Sequence, residues 1–145
     1  MHDQRLTTRL INYWESIKKE RDIPPMELFN PQAIDDLWQR CFVISVRTDH
    51  SKITYTYSYV GDDIKTIFGS NMVGQKVNSK MVFTPARKMI EKMDEAVTMP
   101  DPKLLDGKFV DENSNMIKYR SCLLPMGHDK QNITDIIVGI SWTSF

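Results

Sequence analysis

The run Ile53-Thr54-Tyr55-Thr56-Tyr57-Ser58-Tyr59 constrains this chain most, because large apolar or aromatic residues alternate along it with small polar ones. A period of two is the mark of a strand with one covered face, and it predicts Ile53, Tyr55, Tyr57 and Tyr59 together on that face. Just upstream, Cys41-Phe42-Val43-Ile44-Ser45-Val46 is apolar and β-branched, and Asp49-His50-Ser51 supplies a turn between the two runs. They read as an antiparallel hairpin.

A lone hairpin is marginal in water, so more strands must complete the sheet. Leu104 to Val110 and Met116 to Leu124 form a second hairpin through Asp111-Glu112-Asn113-Ser114-Asn115, and Pro125 to Asn132 reads as a polar loop. Ile133 to Trp142 is nearly continuous in its apolar character, which suits a central strand buried on both faces. Between the hairpins lies a helical stretch punctuated by glycine. Ile64, Ile67 and Phe68 fit a short helix stopping at Gly69, and Gly74 gives a second stop. Thr84-Pro85 then opens a helix with Ala86, Met89, Ile90, Met93 and Val97 on one side, unless it starts nearer Ser79; Pro100-Asp101-Pro102 ends it.

Ahead of the first hairpin, Leu6, Leu10, Tyr13, Trp14 and Ile17 make the apolar stripe of an amphipathic helix. That stripe covers either the chain's own sheet or the same helix of a second copy. Ile23-Pro24-Pro25 stops the helix, and Asn30-Pro31 caps a second one, with Ala33, Ile34, Leu37 and Trp38 on one face, running to about Arg40. Residues 1–30 thus read as a leading helix and proline-containing connector, and 31–145 as the main domain.

The length of 145 residues fits one such domain. Nineteen basic and nineteen acidic side chains cancel without long blocks of either sign, so neither nucleic acid nor an anionic membrane is an expected partner. Cys41 and Cys122 are far apart, no apolar leader follows Met1, and no run approaches the roughly 20 apolar residues of a bilayer span. A cytoplasmic protein with free thiols is expected.

Candidate chemistry is sparse. Asp62-Asp63 reads as a helix N-terminus rather than a metal pair, since a divalent ion needs more oxygen donors than these supply. His128-Asp129 and Asp49-His50 lack a nucleophile or electrophile stabiliser and read as solvated loop pairs. Cys41 and Cys122, within strands, read as small core hydrophobes. Met72, Met81, Met89, Met93 and Met99 flank or line the helical part, where flexible thioethers suit core packing or an adaptable cavity wall. Tyr55, Tyr57, Met89, Met93, Arg120 and Trp142 are the candidates for a ligand pocket, because aromatic surfaces with polar tips and a guanidinium can orient a buried anion or planar ligand.

Two strands, a helical insert and three strands, with the Val60-Gly61-Asp62 exit, the Phe68-Gly69 close, Gly74 and the terminal Ile-Val-Gly-Ile-Ser-Trp run, resemble the Per-Arnt-Sim (PAS) sensor fold from about Ala33 to Trp142. The leading helix with Trp14, the proline-bearing connector and Asn30-Pro31 are similar to a stand-alone alphaproteobacterial PAS subfamily. The resemblance implies an α+β fold: a five-stranded antiparallel sheet in order 2-1-5-4-3, helices over one face enclosing a pocket, and an extra N-terminal helix. No histidine lies between Pro85 and Val97 and no cysteine follows Phe68-Gly69, so neither haem held from that helix nor a photoactive flavin adduct is expected. The cofactor is unknown; small acids, nucleotides, lipids or no ligand stay open, and no metal site is expected.

The function this implies is non-enzymatic sensing or signalling. A small molecule or partner protein binds, the packing of the leading helix changes, and a homodimer is one possible form. A ligand-free interaction adaptor is the alternative. A small enzyme on a cone-shaped nuclear-transport-factor-2-like fold is a third, and it requires ionisable groups inside its cavity.

Overall fold

The computed structural model describes residues 5–68, 71–77, 86–110 and 113–144. Helix α1 spans Leu6–Lys18 and ends where Lys19 takes a left-handed conformation, at φ 55°. The connector contains a 3₁₀ turn, Met26–Leu28. The single helix expected from Asn30-Pro31 divides instead into a 3₁₀ turn, Pro31–Ile34, and one α-turn, α2, Asp35–Trp38. The Asn30 side chain does cap the first, accepting from the Gln32 N–H at 3.1 Å. Ile34 then kinks the chain (φ −129°, ψ 38°), and both Ile34 and Leu37 end up buried while Ala33 stays exposed.

Strands β1 (Cys41–Asp49) and β2 (Lys52–Val60) meet through His50 and Ser51, both left-handed at φ 48° and 69°, as a two-residue hairpin loop requires. Helix α3 (Asp62–Phe68) and helix α4 (Ala86–Thr98) follow, then β3 (Lys103–Val110), β4 (Met116–Asp129) and β5 (Asn132–Ser144). All strand pairs are antiparallel and the order is β2-β1-β5-β4-β3. Gly69, Ser79, Met81, Thr84, Pro85, Asp111 and Glu112 lie outside the described residues.

The polar loop expected over Pro125 to Asn132 is mostly strand. Pro125, Met126 and Gly127 are buried within β4 and pair with β5. β3 pairs with β4 only as far as Leu123, so Pro125 lies on a free edge, where its missing N–H leaves no ladder bond unmade. The freed backbone finds other partners: Trp14 Nε1 donates to the Pro125 carbonyl at 2.9 Å, and the Gly127 N–H donates to the Pro24 carbonyl at 3.0 Å.

Both faces of the sheet are covered, by different parts of the chain. The inner face packs under α3 and α4 and includes Phe42, Ile44, Tyr55, Tyr57, Met89 and Met93. The outer face packs under α1 and the connector, through Leu6, Leu10, Trp14, Ile23, Phe29 and Ile34 against Cys41, Val43, Cys122, Leu124 and Ile137. The stripe read from the sequence is thus laid on the chain's own sheet: Leu6, Leu10 and Trp14 are buried, Tyr13 and Ile17 half-buried. Gly139, midway along β5, admits this helix; a Cβ there would stand 2.1 Å from Leu10 Cδ1 and 2.9 Å from Leu6 Cδ2. Gly61 has a similar reason, since a Cβ would meet the Gln39 carbonyl oxygen at 2.3 Å.

Candidate functional site

Tyr55 and Tyr57 of β2 and Met89 and Met93 of α4 come together in the inner cluster, all buried. The four share this space because alternate residues of β2 face α4, whose buried stripe recurs at helical spacing. Phe42 packs its ring 5.6 Å from that of Tyr57. The Tyr55 hydroxyl donates to Asp94 Oδ1, tying β2 to α4 across the mouth of this interior. Burial pushes the Tyr55 phenol well above its ordinary value, and the Asp94 carboxylate pushes it further. Burial does the same to Tyr57. Both remain neutral phenols through the physiological range.

Beside this tether lies an open cavity of about 640 Å³, with Ile53, Val77 and Ile90 as apolar walls and Lys52 and Lys76 among its polar lining. Residues 74–77 pair with the free edge of β2, which brings Lys76 and Val77 into the cavity lining: the Tyr57 N–H donates to the Gln75 carbonyl at 3.0 Å and the Val77 N–H to the Tyr55 carbonyl at 2.9 Å. The lining thus mixes aliphatic side chains with two ammonium groups and the Asp94 carboxylate. Asp94 and Lys76 belong to this site and were not marked by the sequence, whereas Ile90 was read there only as part of the helical stripe. Asp94 sits next to Met93 on the polar margin of the α4 stripe, and that position was the available signal.

Trp142 stays on the inner face but at its margin, half-buried, with the Arg40 guanidinium 5.7 Å from its ring centre. Arg120 is apart from Tyr55, Tyr57, Met89 and Met93. Tyr119 faces inward, so strand parity sends Arg120 to the outer face, where its Nε lies 3.4 Å from Asp106 Oδ1. With Trp142 it lines a second open groove of about 500 Å³.

Tyr59 also departs from its expected place. The register of β2 against β1 slips between Val43 and Ile44, leaving Ser58 without a direct partner. This bulge turns Tyr59 to the outer face, where its ring stacks on Trp38 at 4.4 Å and 10°. Trp38 contacts Phe29 at 5.3 Å and Phe29 contacts Tyr13 of α1 at 5.3 Å. Tyr13 also holds the connector directly, its hydroxyl accepting from the Asn30 N–H at 2.8 Å. An unbroken aromatic row therefore joins β2 to α1.

The remaining motifs have structural roles. Asp62 and Asp63 begin α3, 3.7 Å from Lys65 Nζ and 3.6 Å from Arg40 Nε respectively. Asp129 Oδ1 accepts from the Gln131 N–H and Asn132 Nδ2 in the β4–β5 turn, and His128 and His50 are exposed. Both thiols lie in the outer cluster, away from Tyr55 and Tyr57; burial raises the Cys41 pKa and lifts that of Cys122 to about 12. Among the described residues, no three His, Cys, Asp or Glu side chains converge as a metal site, and no helix is long and apolar enough to cross a membrane.

Sheet order, flanking helices and N-terminal helix agree with a family match described as a PAS domain, which covers residues 2–141. The chain belongs to the PAS domain family. Solved structures similar to this PAS chain include a light-oxygen-voltage domain studied with a flavin analogue, at 12% identity and TM-score 0.56 over 78% of this chain and 83% of that one. The dark-state Aureochrome1 light-oxygen-voltage domain gives 16% and 0.54 over 78% and 81%. A fungal light-oxygen-voltage photoreceptor gives 10% and 0.51 over 94% and 91%. At these identities the likeness is one of fold. No curated protein sequence matches this PAS chain.

Proposed function

We propose that this chain is a non-enzymatic, cytoplasmic PAS-type sensory or signalling protein. A small molecule bound at the inner face, or a partner protein, shifts the packing of α1. The observation that carries this reading is the continuity from Tyr55 and Tyr57 inside, through the bulge, to Tyr59, Trp38, Phe29 and Tyr13 outside. A ligand shifts such an equilibrium only by binding one packing more tightly than the other. Residues 1–30 then form the responding unit and 31–145 the receiving one. Two lysines, Lys52 and Lys76, against the single Asp94 carboxylate in the cavity lining favour a small apolar acid as the guest. A photoactive flavin adduct is not part of this proposal, because both thiols belong to the outer cluster. A homodimer in this reading pairs through surfaces other than Leu6, Leu10 and Trp14, which the chain's own sheet occupies.

Native mass spectrometry of gently purified protein tests the reading. A co-purifying small acid whose removal changes hydrogen exchange in α1 is expected. A bare mass with stably bound protein partners would favour the second reading, a ligand-free adaptor, which the dense filling of the inner cluster supports. The cone-shaped enzyme fold gives way to the 2-1-5-4-3 sheet.

A further inference from the structure

Helix α1 tiles only part of the outer face. It lies over β4 and β5, with Leu10 above Gly139 and Trp14 bonded to Pro125, and the far edge of the sheet is left open. By register, Leu104 stands opposite Cys122 and Val110 opposite Met116, so all three apolar side chains belong to the outer face. Leu104, Val110 and Met116 are 56%, 55% and 41% exposed, so they are uncovered apolar groups at the two ends of the hairpin, with the Asp106–Arg120 and Lys108–Lys118 pairs between them. Between those ends lies the open groove, lined by Arg5, Asp106, Lys108, Lys118 and Arg120 among others.

Its charge is unbalanced. Asp106 sits beside Arg120, and among the described residues no ion pair engages Arg5, Lys108 or Lys118. Lys108 and Lys118 are direct cross-strand partners, an arrangement that like-charge repulsion disfavours in a sheet. The chain as a whole is neutral, so this excess is local. Folding alone gives no reason to place these cations together, whereas a carboxylate-bearing partner does.

We propose that this groove, bounded by β3, β4 and the start of α1, docks an acidic, extended segment of a partner protein. Its carboxylates would meet Arg5, Lys108 and Lys118, and its apolar side chains would cover Leu104, Val110 and Met116. A nucleic acid fits less well: the cations are few, an acid lies among them, and the flank is aliphatic. The surface lies across the sheet from the Tyr55 interior, so the proposal stands independently of ligand binding there.

Fluorescence anisotropy with a short labelled peptide of alternating Glu and Leu tests it on the intact chain. Binding is expected to weaken with added salt, and to fall by roughly tenfold in the double variant Lys108→Glu, Lys118→Glu. Both residues are exposed, so the melting curve of that variant should be unchanged. If it shifts, Lys118→Ala gives the same readout with a smaller loss. A peptide of alternating Glu and Ser should bind more weakly, and one of Lys and Leu not at all. The proposal is overturned by no binding of the Glu-Leu peptide or by binding to the lysine variants as tight as to the unaltered chain. Equal affinity for oligothymidylate would overturn it in favour of a phosphate surface, and self-association abolished by the charge reversal would do so in favour of a second copy.

Discussion

The seat of α1 on Gly139 yields a quantitative prediction. Leu10 is fully buried against this glycine, and a methyl group added at 139 would collide with its Cδ1 at 2.1 Å. Leu10→Ala should therefore cost about 2–5 kcal/mol, the range for a buried leucine that leaves a cavity. Gly139→Ala introduces a methyl where none fits and should cost about 1–3 kcal/mol. In the double variant the severe collision is gone and the new methyl enters the space Leu10 vacated, leaving only the tip of Leu6, 2.9 Å away, to shift slightly. The combined cost should stay close to that of Leu10→Ala alone, a favourable coupling of at least about 1 kcal/mol, beyond the roughly 0.5 kcal/mol within which independent sites add. Equilibrium urea unfolding of the four proteins measures it. Additive losses would refute the seating, and a midpoint that rises with protein concentration would move the contact to a second copy.

Further expectations concern the tether, the half-buried acid and the hairpins. Tyr55→Phe removes the bond to Asp94 and should cost about 1 kcal/mol in urea unfolding, while increasing hydrogen exchange along α4. Burial raises the Asp135 pKa, its largest cause, while Thr134 donates to it at 2.7 Å. A carboxyl raised in the folded state stabilises below its unfolded pKa and loses that contribution as pH rises through the folded value. Asp135→Asn should accordingly raise the Tm near neutral pH, with the gain vanishing below about pH 4. Replacing His50-Ser51 by Asn-Gly suits two left-handed positions and should stabilise by about 1 kcal/mol in thermal melts. Deleting Ser58 should be tolerated, because Tyr57 and Tyr59 already pair with the successive residues Ile44 and Val43; loss of folding by circular dichroism would contradict the bulge.

Element order was legible because it rests on periodicity, which survives in a single sequence. The stripe from Leu6, the alternation in β2 and the apolar β5 each name an element and a face. Counting failed where tertiary contacts change the count. Seven residues of clean alternation placed Tyr59 beside Tyr57, yet one unpaired serine reverses its side. Pro125 looked like a strand terminator because its free edge is created by the end of β3, a long-range fact. Arg120 was grouped with Tyr55 and Tyr57 for its chemistry, and only the burial of Tyr119 decides the parity of that strand. Four of the six pocket candidates converge because β2 and α4 carry strong patterns; Asp94 was missed because one polar residue beside a stripe is an ordinary sight.

Cys41 and Cys122 flank Gly139 in register, beneath the same helix. While α1 is seated, an alkylating reagent in the solvent cannot reach either sulfur, and each departure of the helix uncovers both. The rate of alkylation is therefore an inbuilt clock for that motion, readable without attaching any label, and slowing or quickening of the clock would report what a bound guest does to the helix.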